Sequence, residues 1–261
     1  MRIDANGYFG HWPYRRLRHD GIEGLRRLRQ VAGVERVLVG SLSGAFYLDP
    51  RDANEEAAEA LGDDPFFSYT PVVNPDRHWW ESDFRWAIDS GCKAVRVFPN
   101  YWGISLSGPA GDRLVGAVRD AGIGLVVNVR LHDERHHQQQ FFKPSVHVAD
   151  LEWFVRRWAD VPILLAAATW REILPIGPSA IRDSRTVVEI SYLKTPTFVI
   201  EEMVEAIGSD HIAFGTGSPL HHPEVATYRV EMADISELDR SAIWGGTIAR
   251  AFGLEALERN P

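Results

Sequence analysis

Short apolar runs rich in β-branched residues alternate with amphipathic segments along the whole chain. Eight runs have the composition of buried strands, at 2–5, 34–39, 66–73, 94–98, 124–129, 162–166, 186–191 and 212–214. Segments of helical period lie between them at 21–32, 51–61, 80–90, 111–121, 150–158 and 195–207, and 241–252 closes the chain. This regular alternation predicts a parallel sheet covered by helices on both faces.

Eight strand–helix units in 261 residues favour a closed (β/α)₈ TIM barrel with eight parallel strands over an open α/β sheet. No shift in composition, long linker or low-complexity segment marks a second domain, so residues 1–261 are expected to form a single domain. In such barrels the reacting groups project from the carboxyl ends of the strands and from the loops that follow. Candidate site residues are therefore sought at those ends.

The net charge of −8 argues against a nucleic-acid binder, which needs a basic stripe to neutralise phosphates. The Arg-rich stretch from Arg15 to Arg29 is a local exception. Its basic positions alternate with leucines and an isoleucine at helical spacing, so we interpret it as the solvated face of an amphipathic helix rather than as a phosphate site.

The single Cys92 excludes an internal disulfide and a thiolate metal cluster, and it fits a reducing compartment. The first residues do not resemble a signal peptide, and no apolar run approaches the length that spans a membrane. We therefore expect a cytoplasmic protein without a membrane partner.

Several motifs occur in an ordered set along nearly the whole chain. They read IDANGYFG at 3–10, VNP at 73–75, GCKAVRVFP at 91–99, AGIGLVVN at 121–128, IAFGTGSP at 212–219 and IWGGTIARAFGL at 243–254. In this order and spacing they resemble the amidohydrolase-related family of TIM barrels. The resemblance implies a (β/α)₈ fold, hydrolase or decarboxylase activity on small molecules, and self-association into a homo-oligomer.

The family's metal-binding positions carry other residues in this chain. Its first strand ends in Asp-x-His-x-His-x-Gly, and further ligands come from strands five, six and eight. The resemblance places the following residues there: Asn6, Tyr8, Asn128, Ala167 or Ala168, and Gly217. Such side chains are poor ligands for a divalent transition metal, so no cofactor is expected. The alternative is a divalent metal at a relocated site built from His132, His136, His221 and Glu189.

Two histidines are candidates for proton transfer. His132 lies in a loop dense in titratable groups just past Asn128, and His221 lies four residues beyond Gly217. A histidine near neutral pKa at the catalytic face can act as a general acid or base. The alternative is a charged surface loop at His132 and a structural role beside two prolines for His221.

Arg96 interrupts an apolar strand, and the alternation of side chains points it into the barrel. A buried guanidinium must be paired, either with an acid such as Glu189 or with a substrate carboxylate, and Arg130 has a similar claim. Trp102 is one of many aromatic residues expected at the mouth. Such residues suit a ring-shaped ligand or a protein interface.

The leading interpretation is a metal-independent hydrolase, or a lyase such as a decarboxylase, that acts on a carboxylate or ring substrate. Arg96, Arg130, Trp102 and Glu189 would contact the substrate. His132 or His221 would move protons. Asn6, Tyr8 and Asn128 would donate hydrogen bonds to developing charge.

The alternative is a catalytically inactive barrel that serves as a binding or subunit-interaction module. It predicts a closed mouth with Arg96 paired internally, whereas an enzyme predicts an open pocket.

Overall fold

The computed structural model describes residues 1–131, 133 and 143–254. Within them the chain forms eight strands, all paired in parallel. Their bounds are β1 Ile3–Phe9, β2 Arg36–Ser41, β3 Phe67–Tyr69, β4 Ala94–Val97, β5 Gly124–Asn128, β6 Ile163–Ala166, β7 Thr186–Glu189 and β8 Ile212–Ala213. The predicted parallel α/β class is confirmed, with a strand in each predicted run.

The strands form two sheets, β1-β2-β3 and β4-β5-β6-β7-β8, rather than one continuous ladder of eight. At one seam an isolated parallel bridge joins Val72 to Arg96. Pro71 lacks an N–H and cannot donate to a ladder, which accounts for the early end of β3. At the other seam Ala5 N donates to Phe214 O over 2.9 Å, and Tyr8 N donates to Ser218 O over 2.8 Å.

The helices cover the outer faces of the sheets. In chain order they are α1 Gly21–Arg26, α2 Leu28–Val31, α3 Pro50–Leu61, α4 Trp80–Asp89, α5 Pro99–Trp102, α6 Pro109–Ala121, α7 Val148–Arg157, α8 Trp170–Ile173, α9 Pro178–Arg182, α10 Val199–Ile207, α11 Pro223–Glu231, α12 Glu237–Ser241 and α13 Thr247–Phe252. A π-helical segment, Ala242–Gly246, joins the last two. None of these helices combines the length and apolar character needed to cross a membrane.

Helix α3 shows how local sequence sets these bounds. Asp49 caps its first turn by accepting a hydrogen bond from Arg51 N at 2.9 Å, and Pro50 occupies the first helical position, where its missing N–H costs nothing. Gly62 ends the helix with a φ of 56°, a left-handed conformation that other residues avoid.

The interior of the strand assembly is apolar at its amino end and polar above. Small and branched side chains from seven strands, among them Ala5, Ala94 and Val126, form a compact cluster that α13 closes from below. A second cluster, which includes Tyr8, Trp12 and Phe98, lies at the carboxyl end. The buried polar residues described next lie between the two clusters.

Candidate functional site

Four polar side chains point inward at the carboxyl ends of β1, β4, β5 and β7. They are Asn6, Arg96, Asn128 and Glu189, and all four are fully buried. The strand alternation that turns Ala94 and Val126 inward also turns Arg96 and Asn128 inward, two residues further along. A register shift in β1 between Asp4 and Gly7 brings both Ala5 and Asn6 to the interior.

The guanidinium of Arg96 lies at the centre of this network. Its Nη1 donates to Asn6 Oδ1 at 2.8 Å and to Asn128 Oδ1 at 3.0 Å, and its Nε donates to Thr70 Oγ1 at 3.2 Å. The guanidinium carbon lies 5.0 Å from the centre of the Tyr8 ring. Its Nη2 is buried without a hydrogen-bond partner among the described residues. Burial lowers the pKa of Arg96, and the nearby Tyr8 and Glu189 oppose that shift.

Gly40 on β2 makes room for this side chain. A Cβ at position 40 would lie 2.3 Å from Arg96 Nε and 2.5 Å from its Cδ. Such a contact is impossible without moving the guanidinium. The inward path of Arg96 therefore depends on a glycine in the neighbouring sheet.

Glu189 supplies the negative charge opposite Arg96, with Asn6 between them. Asn6 Nδ2 donates to Glu189 Oε1 at 2.9 Å. Ser191 donates twice, from Oγ to Oε1 at 2.7 Å and from its backbone N to Oε2 at 2.6 Å, and Ala167 N also donates to Oε1. Burial raises the pKa of the Glu189 carboxyl, and these hydrogen bonds oppose the rise. Arg96 is thus balanced by protein groups.

The three predicted hydrogen-bond donors, Asn6, Tyr8 and Asn128, do come together around Arg96. Asn128 Nδ2 donates to the Tyr8 hydroxyl, while its Oδ1 accepts from Arg96. The amides of Asn6 and Asn128 therefore use both their donor and acceptor ends within the protein. Burial raises the pKa of Tyr8, so this phenol stays protonated at neutral pH.

Arg130 is engaged by a protein carboxylate. Its Nη1 donates to Glu172 Oε2 at 2.9 Å and to Ala167 O at 2.7 Å, and its Nη2 contacts Glu172 Oε1. Burial tends to raise the pKa of Glu172, but the hydrogen bonds and charge of Arg130 outweigh it and hold this pKa below its usual value. The described contacts give Arg130 a structural partner in place of the predicted substrate anion.

A pocket of about 720 Å³ opens beside the buried network. Its polar inner wall includes Ser191, Ser218 and His221. Cationic side chains line much of the rest: Arg15, Arg16, Arg18, Arg27, Lys194 and Arg229. The interpretation of 15–29 as a solvated helix face is therefore wrong for its first part, because residues 15–18 precede α1 and line the pocket. The helical spacing of 15–29 extends over residues that are not helical, so the pattern did not indicate that they form this wall.

His221 occupies the space of a missing side chain. Gly217 has a φ of 64°, and a Cβ there would lie 2.6 Å from His221 Cδ2. Burial, with help from Lys194 and Arg15, lowers the pKa of His221 to about 4, so the ring is neutral at pH 7. Its Nε2 is buried and has no hydrogen-bond partner among the described residues, and the ring packs edge-on against Tyr192 at 5.6 Å.

Three other candidates cannot be placed in the pocket. His132 falls outside the described residues, as does His136. Trp102 is not in the pocket: it packs edge-on against Phe98 at 5.9 Å and lines a small apolar cavity with Pro99 and Phe154. The hydrophobic contacts of α5 direct its ring toward α6 and α7 instead of the pocket.

The chain shares its fold with several solved enzymes. It superposes on 5-carboxyvanillate decarboxylase from Sphingomonas paucimobilis with a TM-score of 0.76 and 13% identity over 97% of this chain and 99% of the other. It superposes on dihydroxybenzoic acid decarboxylase from Polaromonas sp. JS666 with a TM-score of 0.73 and 17% identity over 98% of each chain. With an amidohydrolase from Mycobacterium avium subsp. paratuberculosis K-10, the TM-score is 0.64 and the identity is 13%, over 89% of this chain and 74% of the other. The predicted likeness is confirmed at the level of the fold.

Comparisons of sequence alone give no match. Neither the models of known protein families nor the curated proteins contain a sequence similar to this chain.

The expectation that no cofactor accompanies this fold is contradicted by these neighbours, because the Polaromonas enzyme was crystallised with bound manganese, as was 5-carboxyvanillate decarboxylase from Novosphingobium aromaticivorans. The residues described at the family's ligand positions in this chain nevertheless do not fit a divalent metal. Asn6 and Asn128 direct their amide oxygens at the guanidinium of Arg96. A cation beside that guanidinium would be repelled.

The alternative metal site, built from His132, His136, His221 and Glu189, is described at two of its four residues. The described residues contain no group of three or more His, Cys, Asp or Glu side chains that could hold a metal ion. Of the four residues considered for it, only His221 and Glu189 are described, and the Glu189 oxygens already accept hydrogen bonds from Asn6, Ser191 and Ala167. We derive no catalytic step through a metal.

Proposed function

We propose that this chain is a divergent amidohydrolase-related enzyme that converts a ring substrate bearing a carboxylate. The substrate would bind in the pocket beside the buried network of Asn6, Arg96, Asn128 and Glu189. The two sheets would together form a single-domain (β/α)₈ barrel, closed by the backbone bonds at their seams. Support comes from the fold, which is shared over nearly the whole chain with decarboxylases of aromatic carboxylates.

One observation carries the proposal: the buried network reaches the pocket through Ser191. This side chain lines the pocket, donates to Glu189 at 2.7 Å, and lies 3.5 Å from Asn6 Nδ2. Pockets for small-molecule ligands typically have volumes of about 300 to 1,000 Å³. A substrate in this pocket would lie against preorganised charges in a region of low dielectric, where they act strongly on a developing charge.

The residues divide into two groups by their access to the pocket. Ser191 and His221 line it and would contact the substrate. His221 is neutral at pH 7 and has an unpartnered nitrogen among the described contacts. A bound substrate anion would raise its low pKa, and the ring would then accept a proton from a hydroxyl group of the substrate or from water. Asn6, Arg96, Asn128 and Glu189 are fully buried and would act as positioning residues that fix Ser191.

Decarboxylation is the reaction we favour. The bond between the ring carbon and the carboxylate carbon breaks and carbon dioxide leaves. The electron pair on the ring carbon takes the proton that His221 would have accepted from a substrate hydroxyl or from water. Both decarboxylases described above act on ring carboxylates, and the cationic wall suits such an anion. Hydrolysis of a ring ester or amide is the second reaction and is distinguished by its products.

The test is turnover of a panel of hydroxylated benzoates, including 2,6-dihydroxybenzoate and 5-carboxyvanillate, in buffer with added manganese. We expect loss of the substrate absorbance with stoichiometric release of carbon dioxide. Replacing His221 by Gln should lower kcat/KM by about 100-fold, the usual contribution of a general acid or base. The matched control is His78→Gln, at an exposed position outside the pocket. A wild-type protein that turns over no ring carboxylate would contradict the proposal, as would an H221Q variant of full activity.

A further inference from the structure

The walls of the pocket are strongly cationic in a protein that is acidic overall. Among the described residues, six basic side chains line it but only two carboxylates, those of Asp133 and Glu224. The whole chain has 36 acidic and 28 basic residues, for a net charge of −8. The pocket therefore has a local charge of opposite sign to the molecule, and a concave surface concentrates that field.

Two of the six cations are neutralised within the pocket wall. Arg27 Nη2 lies 3.3 Å from Glu224 Oε1, and Lys194 pairs with Asp133. These pairs use both of the carboxylates that the described part of the chain contributes to the pocket.

Two further cations are fixed in place without being neutralised. Arg15 Nη2 donates to Leu220 O at 2.9 Å, and Arg229 Nη1 donates to Leu193 O. A backbone carbonyl orients a guanidinium but carries no net charge, so each cation keeps its charge. Burial lowers the pKa of Arg229, and no carboxylate among the described residues pairs with it to oppose that shift.

Arg16 and Arg18 complete the set at the rim of the pocket. Both are exposed, and neither forms an ion pair within the described part of the chain. Leu17 between them is buried and packs in the same cluster as Trp12 and Leu220. This anchor holds the backbone of the segment against the protein, so Arg16 and Arg18 both extend from a fixed place at the rim.

We propose that the pocket binds a small molecule with two oxyanion groups, one toward Ser191 and His221 and one at Arg16 and Arg18. Four cations that have no carboxylate partner within residues 1–131, 133 and 143–254 exceed what a single carboxylate balances, and guanidinium groups bind carboxylate and phosphate oxygens through paired hydrogen bonds. The location rests on the proposed function, which supplies the first anionic group. The second group is a carboxylate or a phosphate.

The test is calorimetric binding of three probes that share one ring, at constant pH and ionic strength. Benzoate carries one anionic group, and isophthalate and 3-carboxyphenyl phosphate, called the dianions below, each carry two. We expect the better of the two dianions to bind wild-type protein about tenfold more tightly than benzoate, because it gains charge-assisted hydrogen bonds at the rim. The more tightly bound dianion identifies the second group as carboxylate or phosphate.

Variants then locate the second group. The double variant Arg16→Gln/Arg18→Gln should lose about tenfold in affinity for the preferred dianion and keep its affinity for benzoate within about threefold. Both positions are exposed, so the fold should be retained. The matched control is Arg85→Gln/Lys93→Gln, which removes two charges at exposed positions outside the pocket. It should bind all three probes as the wild type does.

Three results would overturn the inference: no binding of either dianion, equal affinity of wild-type protein for benzoate and the dianions, or equal losses in the two double variants. Because binding is measured without turnover, dianion binding can be observed even if the proposed reaction fails. Conversely, turnover of monocarboxylates without a preference for dianions would leave the proposed reaction standing and remove this inference.

Discussion

At the scale of single residues, Arg96 shows how a buried charge is held through neutral intermediaries. Its hydrogen-bond acceptors are two amides and a hydroxyl, and its counter-charge at Glu189 is reached through Asn6. The sequence indicated that Arg96 points inward and needs a partner. It could not indicate which amide end faces the guanidinium, because that depends on contacts between residues 90 and 32 positions apart.

Removing the guanidinium should strongly destabilise the protein. Arg96→Met leaves two buried amide oxygens without donors and Glu189 without its counter-charge, so we expect a loss of about 3 to 5 kcal/mol in the free energy of unfolding. Urea denaturation measures it. Arg85→Met, at an exposed position, should change stability by less than about 0.5 kcal/mol. A loss at Arg96 as small as that of the control would show that the network is not coupled as described.

The depressed pKa of His221 makes stability depend on pH. Between 6.5 and about 4 the unfolded chain binds a proton at this residue and the folded chain does not, so acidification through that window favours unfolding. Above pH 6.5 the neutral His221 ring contributes fully to the free energy of unfolding. By pH 4 up to about 3 kcal/mol of that free energy is lost. Urea denaturation at several pH values gives the free energy of unfolding as a function of pH. Between pH 4 and 6.5 this free energy should depend less steeply on pH in His221→Gln than in the wild type. His78→Gln should keep the wild-type slope.

Gly217 and His221 should be coupled by packing. Gly217→Ala places a methyl group 2.6 Å from His221 Cδ2 on a backbone with positive φ, so both repulsion and strain oppose it, at a cost of roughly 3 kcal/mol. Gly253→Ala separates the two effects, because its φ is 60° and no atom lies within 4 Å of the new Cβ. It should cost only about 1 kcal/mol. Similar losses at the two positions would mean that the His221 ring moves freely out of the way.

At the scale of elements, helix α3 stabilises the seam between the two sheets. Asn54 on α3 donates to Val72 O and accepts from Val72 N, both at 2.8 Å, and it also accepts from the Tyr69 hydroxyl at 2.8 Å. Val72 is the residue that bridges to Arg96 in β4. A side-chain amide thus takes the place of a strand where the ladder is interrupted.

Replacing Asn54 by Ala should loosen this seam. A buried N–H and C=O of Val72 lose their partners, so we expect a loss of about 2 to 3 kcal/mol in the free energy of unfolding. Amide hydrogen exchange should accelerate at Val72 and Arg96 more than at Leu125 within the larger sheet. Asn100→Ala, at a partly exposed position on α5, is the control. Uniform acceleration across both sheets would argue against a local role.

The sequence predicted elements well where the pattern was long. All eight strands lie within predicted runs or overlap them, because their apolar composition is continuous. The short helices α5, α8 and α9 were missed, since four or five residues show no period. The nine-residue α11 was also missed, because its apolar residues do not gather on one face. Helix α10 begins at Val199, four residues after the predicted start, because Pro196 follows Thr195 and the pattern does not reveal where a loop ends.

At the scale of the whole molecule, the charge of the pocket has the opposite sign to the net charge of the chain. The net charge argued against a nucleic-acid binder, and it gave no indication that the structure gathers cations from 15–29, 194 and 229 around one pocket. Net charge is a sum and carries no information about position. The family resemblance, in contrast, predicted the convergence of Asn6, Tyr8 and Asn128, because it supplied their places on the strands.

This distribution predicts a strong salt dependence. Raising sodium chloride from about 0.05 M to about 0.5 M shortens the screening length to a few ångströms, so isophthalate binding to wild-type protein should weaken severalfold. The Arg16→Gln/Arg18→Gln variant should show a flatter dependence, and Arg85→Gln/Lys93→Gln should keep the wild-type slope. Equal slopes for all three proteins would place the anion away from the rim. Self-association remains a prediction, which light scattering would check.

The contact between Gly40 and Arg96 also constrains how the sequence can drift. A larger residue at position 40 would collide with the guanidinium, so any homologue that keeps the arginine must keep the glycine, and loss of the glycine must follow or accompany loss of the arginine. Substitutions at these two positions should therefore be ordered in time. Across a future set of homologues, the combination of a side chain at 40 with arginine at 96 should be missing.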